Sequence, residues 1–380
     1  SCTNNLTNDL CGYISSHSTN SIFLSPCTAD EICKLIKSLK TDSAAGYDEI
    51  KARPIIHVAD ILCAPLCHIC NSALSTGIFP ASMKIAKVVV LHKGGSLNDL
   101  NNYRPISVLP LFSKVLELVV KFRLTQFLDE KRALVDNQFG FRKNKSTEEA
   151  LLSVKEEIIE NFENRLFTVG VFLDFRKAFD SIKHHILFQK LPEYGIRGVT
   201  LELIKSYFSD RFQFVSLNNI SSEMKQITCG VPQGSILGPL FFIIYINDIV
   251  NIPLTPKMVL YADDTSLFFS GHNLADLAIV TNNWLHQLLI WLSLNQLQLN
   301  VTKTKFIVFK PKNKPDVTDI SLRFDACAIE RVSVFKFLGV LFEEHLSWTH
   351  HVNKLHTSIS RSNRVFYNIR HLVPTWLKRQ

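Results

Sequence analysis

At 380 residues the chain is long enough to bury a large core and to divide into two or three subdomains. Hydrophobic residues make up 46% and charged residues 20%, proportions that exclude a disordered or low-complexity chain. Forty-two Lys and Arg against 34 Asp and Glu leave a formal charge of +8, which suits a polyanionic partner without requiring one. The longest apolar stretch, Leu240 to Ile246, is far short of a membrane span, so no membrane partner is expected. No signal peptide is visible. The first residue is Ser1 rather than Met, which fits a segment of a longer protein. Nine cysteines are scattered without a paired framework and point to a reducing, intracellular setting, with nucleus and cytoplasm equally open.

In chain order, a lead-in gives way to a capped helix. Thr28-Ala29-Asp30-Glu31 has capping-box spacing, and Ile32, Leu35, Ile36 and Leu39 follow at helical period. Asp42 to Asp48 reads as a loop, and a mostly helical segment runs to about Ser75. It contains Cys63, Cys67 and Cys70 with His68 beside them, a set open to a zinc site but more usual as small core residues on one helix face. Lys87 to Lys93 reads as a strand, Gly94 to Asn102 as a polar loop, and Leu111 to Leu128 as a helix. Ser146-Thr147-Glu148-Glu149 is a second capping box, opening a helix to about Asn164. A strand then reaches Asp174, helices fill roughly 182–193 and 199–208, and two short strands lie near 212–217 and 223–229. A helix over 235–250 precedes a hairpin centred on Tyr261-Ala262-Asp263-Asp264. Ala275 to Leu294 is a long amphipathic helix. The remainder is β-rich (305–310, 320–330, 334–342) and ends in a helix carrying Lys354, Arg361, Arg364 and Arg370, whose basic side suits either a duplex contact or a solvated face.

The hairpin acids carry the most chemistry. Met258-Val259-Leu260 and Leu267-Phe268-Phe269 flank them, so two adjacent carboxylates stand at the tip of buried strands. Such a pair repels itself unless a divalent cation lies between. Asp174 ends another apolar strand, and three carboxylates on neighbouring strand ends suit two-metal phosphoryl transfer. The carbonyl of the next residue, Phe175, can share a metal with Asp174. Phe179 would stand at the floor of a nucleotide pocket, where a bulky ring excludes a ribose 2′-hydroxyl; plain core packing is the competing reading. Asp180 reads as a cap for the following helix. In Gly230-Val231-Pro232-Gln233-Gly234-Ser235-Ile236-Leu237-Gly238-Pro239, the glycines let the backbone approach a substrate closely, and Gln233 could touch the sugar or a template.

Seven segments in one order carry a family resemblance. They are Asn102-Tyr103-Arg104-Pro105-Ile106-Ser107, Asn137-Gln138-Phe139-Gly140-Phe141-Arg142, Leu173 to Asp180, Gly230 to Asp248 ending Tyr245-Ile246-Asn247-Asp248, Tyr261 to Asp264, Leu299 to Lys305, and Phe335-Lys336-Phe337-Leu338-Gly339-Val340. Together they resemble the reverse transcriptase of a non-LTR (LINE-type, jockey-like) retrotransposon. The resemblance implies an α+β right-hand polymerase, with fingers, a palm built on an antiparallel sheet, and the start of a thumb. The expected divisions are 1–80 as an N-terminal extension and upstream finger segment, 81–165 as fingers, 166–345 as palm with interleaved finger and palm helices and the primer grip, and 346–380 as the start of the thumb. Its expected reaction is RNA-directed DNA synthesis with Mg²⁺, or Mn²⁺ in its place, on an RNA template, a DNA primer and a dNTP.

Carried over by position, Asp174, Asp263 and Asp264 are the implied metal triad, with Phe175 supplying a carbonyl. Lys303 is an implied proton donor to pyrophosphate. Lys93, Arg104, Phe179 and Gln233 line the implied nucleotide site. Gln138, Gly140 and Arg142 would lie along the template path, and Phe337, Leu338 and Gly339 in the primer grip. One departure is Glu49, in Ser43 to Ile50, where the family often has glycine. Neither the endonuclease usual in such elements nor a Cys/His knuckle is present in this sequence, so the endonuclease is expected from a missing N-terminal part or another protein. A catalytically silent nucleic-acid-binding remnant is the rival reading; a group II intron maturase or a telomerase fits the motifs less well.

Overall fold

A computed structural model describes Tyr13 and residues 18–217, 220–254, 256–314 and 320–371. Most of the predicted lead-in and the tail of the predicted thumb, 372–380, lie outside the described residues.

Helices α1 (Ala29–Lys37), α2 (Ala52–His57) and α3 (Ala59–Thr76) come first, followed by strands β1 (Ile85–His92) and β2 (Tyr103–Val108) and the long helix α4 (Leu111–Glu130). Helix α5 (Thr147–Glu163) leads into β3 (Phe167–Asp174), and α6 (Ala178–Ser181), α7 (His184–Lys190) and α8 (Gly198–Phe208) follow. Strands β4 (Phe212–Leu217), β5 (Ile220–Ser221) and β6 (Lys225–Gln226) precede helix α9 (Gly238–Ile246). The hairpin β7 (Lys257–Tyr261) and β8 (Asp264–Gly271) is joined by α10 (Leu274–Leu294) to β9 (Lys305–Phe309), β10 (Leu322–Phe324) and β11 (Cys327–Arg331). A small hairpin, β12 (Val334–Phe337) and β13 (Val340–Glu343), leads to α11 (Thr349–Ile369).

Local chemistry explains several boundaries. At the start of α5, Ser146 and Glu149 form the full reciprocal capping box. At α1 only half of the expected box forms. Thr28 accepts from the Glu31 N–H, but the Glu31 carboxylate is taken by Arg123 of α4 at 2.8 Å. A bidentate guanidinium pair outcompetes a backbone N–H for that carboxylate. Glu49 has φ +56°, the left-handed conformation that glycine adopts without strain.

The larger sheet has six strands in the order β10-β11-β9-β3-β8-β7. Its centre is antiparallel, as expected, with β3 between β8 and β9; the β9–β11 pair is parallel. Period-two alternation divides β3 between two cores. Val169, Val171 and Leu173 face the main core, whereas Phe172 joins Val154 and Ile158 of α5 and Phe337 and Phe342 of the small hairpin. The second sheet runs β2-β1-β4-β5, with β6 also on β4. Here the expected division at 166 does not follow the hydrogen bonding. Strand β4 leaves the predicted palm interval to pair in parallel with β1, from Ile85↔Phe212 to Val88↔Val215. The predicted strand 223–229 shortens to β6, which pairs with Phe212 and Gln213 of β4, while β5 pairs with Ser216 and Leu217.

Helix α9 is apolar around its whole circumference, and every residue from Leu240 to Ile246 is buried between these layers. Among the described residues no helix is long and apolar enough to cross a membrane. None of the described side chains of α11 is buried, so its basic and its apolar faces are both solvated.

Candidate active site

The registers of β3, β7 and β8 bring the three predicted acids to one edge. Asp174 and Asp264 are direct Cα partners across β3 and β8, and Tyr261 pairs with Asp264 to close a hairpin over Ala262 and Asp263. Ala262 has φ +56°, as a tight two-residue turn requires. Asp263 and Asp264 keep solvent access, yet the protein mass around them lowers the local dielectric. Burial pushes Asp264 up to about 6, with repulsion from Asp263 and then Asp174 adding to it. Asp263 is also raised, by burial first and then by Asp174, against its own backbone hydrogen bond and Arg104.

No Lys or Arg among the described residues forms an ion pair with any of the three. Their oxygens are hard donors of the kind Mg²⁺ and Mn²⁺ take, and Arg104, acting on Asp263 through space, offsets only part of their charge, so the donor set fits a divalent ion. No three carboxylate, imidazole or thiol groups among the described residues converge closely enough to form a finished cage.

The cleft beside the acids, about 240 Å³, is lined by Asp174, Asp264, Lys303, Lys336 and Leu338, among others. A larger cavity of about 460 Å³ lies near the other end of β3, around Phe162, Arg165 and Lys314, away from these acids. Lys303 stands in a turn tied to the acid strand, since the Asn300 N–H donates to the Asp174 carbonyl at 2.7 Å and the Asp174 N–H to Thr304 Oγ1 at 3.3 Å. Phe175 is buried, and its backbone bridges Leu299. Arg104, opposite Leu91 on β2, is exposed and acts on Asp263 through space. Lys93 follows β1, its N–H bonded to the Asn102 carbonyl at 2.7 Å.

Phe179 is half-buried, stacked on Phe242 at 4.7 Å and edge-on to Phe141 at 6.4 Å. Asp180 does not cap the next helix. It sits within α6 and accepts from Gln233 Nε2 at 2.9 Å. The Gln233 loop is docked on the end of β2, where the Ser107 N–H donates to the Gln233 carbonyl at 2.7 Å. Gly234 permits this approach: its φ is +121°, and a Cβ there would meet the Ser107 carbonyl oxygen at 2.5 Å. Glu117 of α4, buried and pushed up by that burial, accepts the Ile236 and Leu237 N–H groups and so caps the start of α9. A charge inside Val115 to Val119 was the sequence signal for it.

Three expected contact residues are buried instead, and a fourth, Arg142, is half-buried with its guanidinium engaged. Gln138 is 1% exposed and bonds the acid turn, so it cannot meet a template. Gly140 is buried against Tyr261 and Ala262. Arg142 spends its guanidinium on the Leu134 and Val135 carbonyls and on Asp129. Phe337 is 3% exposed in the second core, beside Phe172 and Phe342. Leu338 and Gly339 form the β12–β13 turn, both at positive φ. The three helical cysteines do not converge. Cys70 is buried, Cys67 faces Cys27 with sulfurs 3.9 Å apart, and the Cys63 thiol donates to the Asp60 carbonyl. Helical packing accounts for them.

Residues 91–342 match the family described as reverse transcriptase (RNA-dependent DNA polymerase). The chain is 30% identical over 351 residues to the RNA-directed DNA polymerase from mobile element jockey of Drosophila melanogaster, covering 90% of this chain and 38% of that protein. It is 29% identical over 394 residues to the probable RNA-directed DNA polymerase from transposon BS of the same organism, covering 94% of this chain and 42% of the relative. The corresponding protein of transposon X-element is 27% identical over 347 residues, covering 88% and 37%. The chain thus spans 37% to 42% of the length of these curated relatives. The match over 91–342, containing all three acids of the β3–β8 edge, shows that the chain belongs to the reverse transcriptase family.

Proposed function

We propose that this chain extends a DNA 3′-hydroxyl on an RNA template, consuming deoxynucleoside triphosphates in a metal-dependent nucleotidyl transfer. The observation that carries this reading is the register pairing Asp174 with Asp264, with Asp263 in the adjoining turn. Asp174, Asp263 and Asp264 would hold Mg²⁺, or Mn²⁺ in its place, with the Phe175 carbonyl as a further donor. When bound, the ions would lower the pKa of the attacking hydroxyl and neutralise charge on departing pyrophosphate.

The chain's own residues bind and orient. Arg104, on β2 of the second sheet, and Lys93, just past the end of β1, suit a triphosphate, the guanidinium by paired hydrogen bonds and the ammonium as a point charge. Lys303, which lines the cleft with Asp174 and Asp264, would donate a proton to the leaving group. Phe179, backed by Phe242, gives a stiff floor against a 2′-hydroxyl. Gln233 donates from its amide nitrogen to Asp180, and in this reading its amide oxygen would accept from the sugar. In this reading the fingers comprise 81–165 together with 212–226, the palm the rest of 166–345, and the thumb begins at 346, with Leu338 and Gly339 next to the primer end.

Primer extension tests the proposal. Wild type should extend a DNA primer on RNA with Mg²⁺ and dNTPs, and Asp174→Asn should lose more than about 10³-fold, as expected for one member of a catalytic unit. Phe179→Val should cut discrimination against ribonucleotides by about 10- to 10²-fold, measured as a ratio of kcat/KM values. No extension by wild type, with salt-sensitive binding of the hybrid retained, would leave a nucleic-acid-binding remnant instead.

A further inference from the structure

Gln138 is a polar side chain in the interior, and its carboxamide oxygen accepts two backbone N–H groups, from Gly140 at 2.8 Å and from Ala262 at 3.1 Å. The second donor belongs to the residue directly before Asp263, in a left-handed conformation that alanine disfavours. Backbone bonds on each side of Gln138 hold it there. The Leu260 N–H donates to the Asn137 carbonyl at 2.9 Å, and the Phe139 N–H donates to the Leu260 carbonyl at 2.7 Å. Residues 137–139 therefore lie alongside β7, which forms the edge of the six-stranded sheet.

Gly140 completes the fit, since a Cβ there would meet the Ala262 nitrogen at 2.3 Å. Asn247 fixes the approach to this segment, accepting from the Val135 N–H at 3.0 Å and donating to the Ala133 carbonyl at 2.9 Å and Tyr194 Oη at 3.1 Å.

We propose that Gln138 is a positioning residue for the acid turn: its amide oxygen, presented by the backbone clamp of 137–140, locks Ala262 and fixes the direction in which Asp263 and Asp264 leave the turn. The inference rests on the polymerase reading of the acids. A carboxylate displaced by about 1 Å costs on the order of 10²-fold in rate, so one hydrogen bond at the turn has leverage on catalysis far beyond its own strength.

Gln138→Met keeps the length of the side chain and removes the acceptor. Amide exchange in the fragment 258–266 should accelerate about tenfold or more, with exchange in 167–173 of the neighbouring strand unchanged. Single-turnover extension should fall about 10²-fold, with the KM for dNTP and the affinity for the hybrid within about twofold of wild type. If Gln138→Met does not fold, Gly140→Ala decides. It presses on Ala262 from the other side with the acceptor intact, and should give the same localised exchange and the same loss of rate. Unchanged exchange at the turn, or acceleration spread evenly over the sheet with activity lost only through a smaller active fraction, would overturn the proposal. A wild type that extends no primer would defeat the polymerase reading, while the exchange comparison would still decide the clamp.

Discussion

Asp248 and Asp264 are both carboxylates pushed upward chiefly by burial, and they differ in what faces them. Asp248 meets Lys190 at 2.8 Å, with both side chains 1% exposed. The Lys190 ammonium also donates to the Tyr245 carbonyl and lies over the rings of Tyr245 and Trp291. Asp264 instead faces Asp263 and Asp174, two more acids. The first arrangement compensates a charge within the fold. The second accumulates charge at an accessible edge, at a cost in stability that a bound divalent cation would relieve.

That contrast predicts opposite responses to similar substitutions. Asp248→Ala should destabilise the chain by about 3–5 kcal/mol in denaturant unfolding, because Lys190 is left charged and buried. Lys190→Met with Asp248→Leu should recover most of that loss. A double variant no better than Asp248→Ala would mean that the pair supplies more than mutual compensation.

Asp264→Asn should act the other way. The folded pKa of Asp264, about 6, lies above its ordinary value of 3.8, so the folded state holds the proton more tightly than the unfolded one. The resulting penalty develops as pH rises from the ordinary value and is complete above about 6. Asn at 264 should therefore raise Tm above that pH and lose its advantage toward pH 4. The gain is about 1 kcal/mol or less, because the side chain is solvent-accessible and water screens the repulsion. Equal Tm differences at pH 4 and pH 8 would contradict the assignment.

A smaller effect separates a strained turn with a task from one without. Ala262 and Glu49 share the same φ of +56°. Glu49→Gly should stabilise the fold by about 0.5–1 kcal/mol, the relief of left-handed strain less the added chain entropy of glycine, with extension unchanged. A loss of extension would show that the Glu49 side chain has a role of its own.

Much of this arrangement is legible in the sequence because it is local. Apolar runs ending on Asp174 and flanking Asp263-Asp264 identify strand ends, and the Ser146 box marks a helix start within one turn. What remains hidden depends on partners far along the chain. Nothing near Gln138 indicates that its oxygen meets the Ala262 N–H, and the family resemblance alone implies a place along the template path. Arg142 misleads for the same reason, since its guanidinium is consumed by the carbonyls of its own loop. The Thr28 box fails because Arg123, on another helix, competes for Glu31. Strand β4 has too short a pattern to reveal that it pairs with β1 rather than with the acid-bearing sheet.

The most direct test of the account is a Mn²⁺ titration followed by the free-ion EPR signal, on wild type, Asp174→Asn and Asp264→Asn. The account predicts that each variant weakens binding about tenfold or more, and that wild-type affinity falls up to about tenfold per pH unit below about 6 as protons compete for the acids. Binding that is equal in all three proteins and independent of pH would contradict the claim that these acids form one cation site.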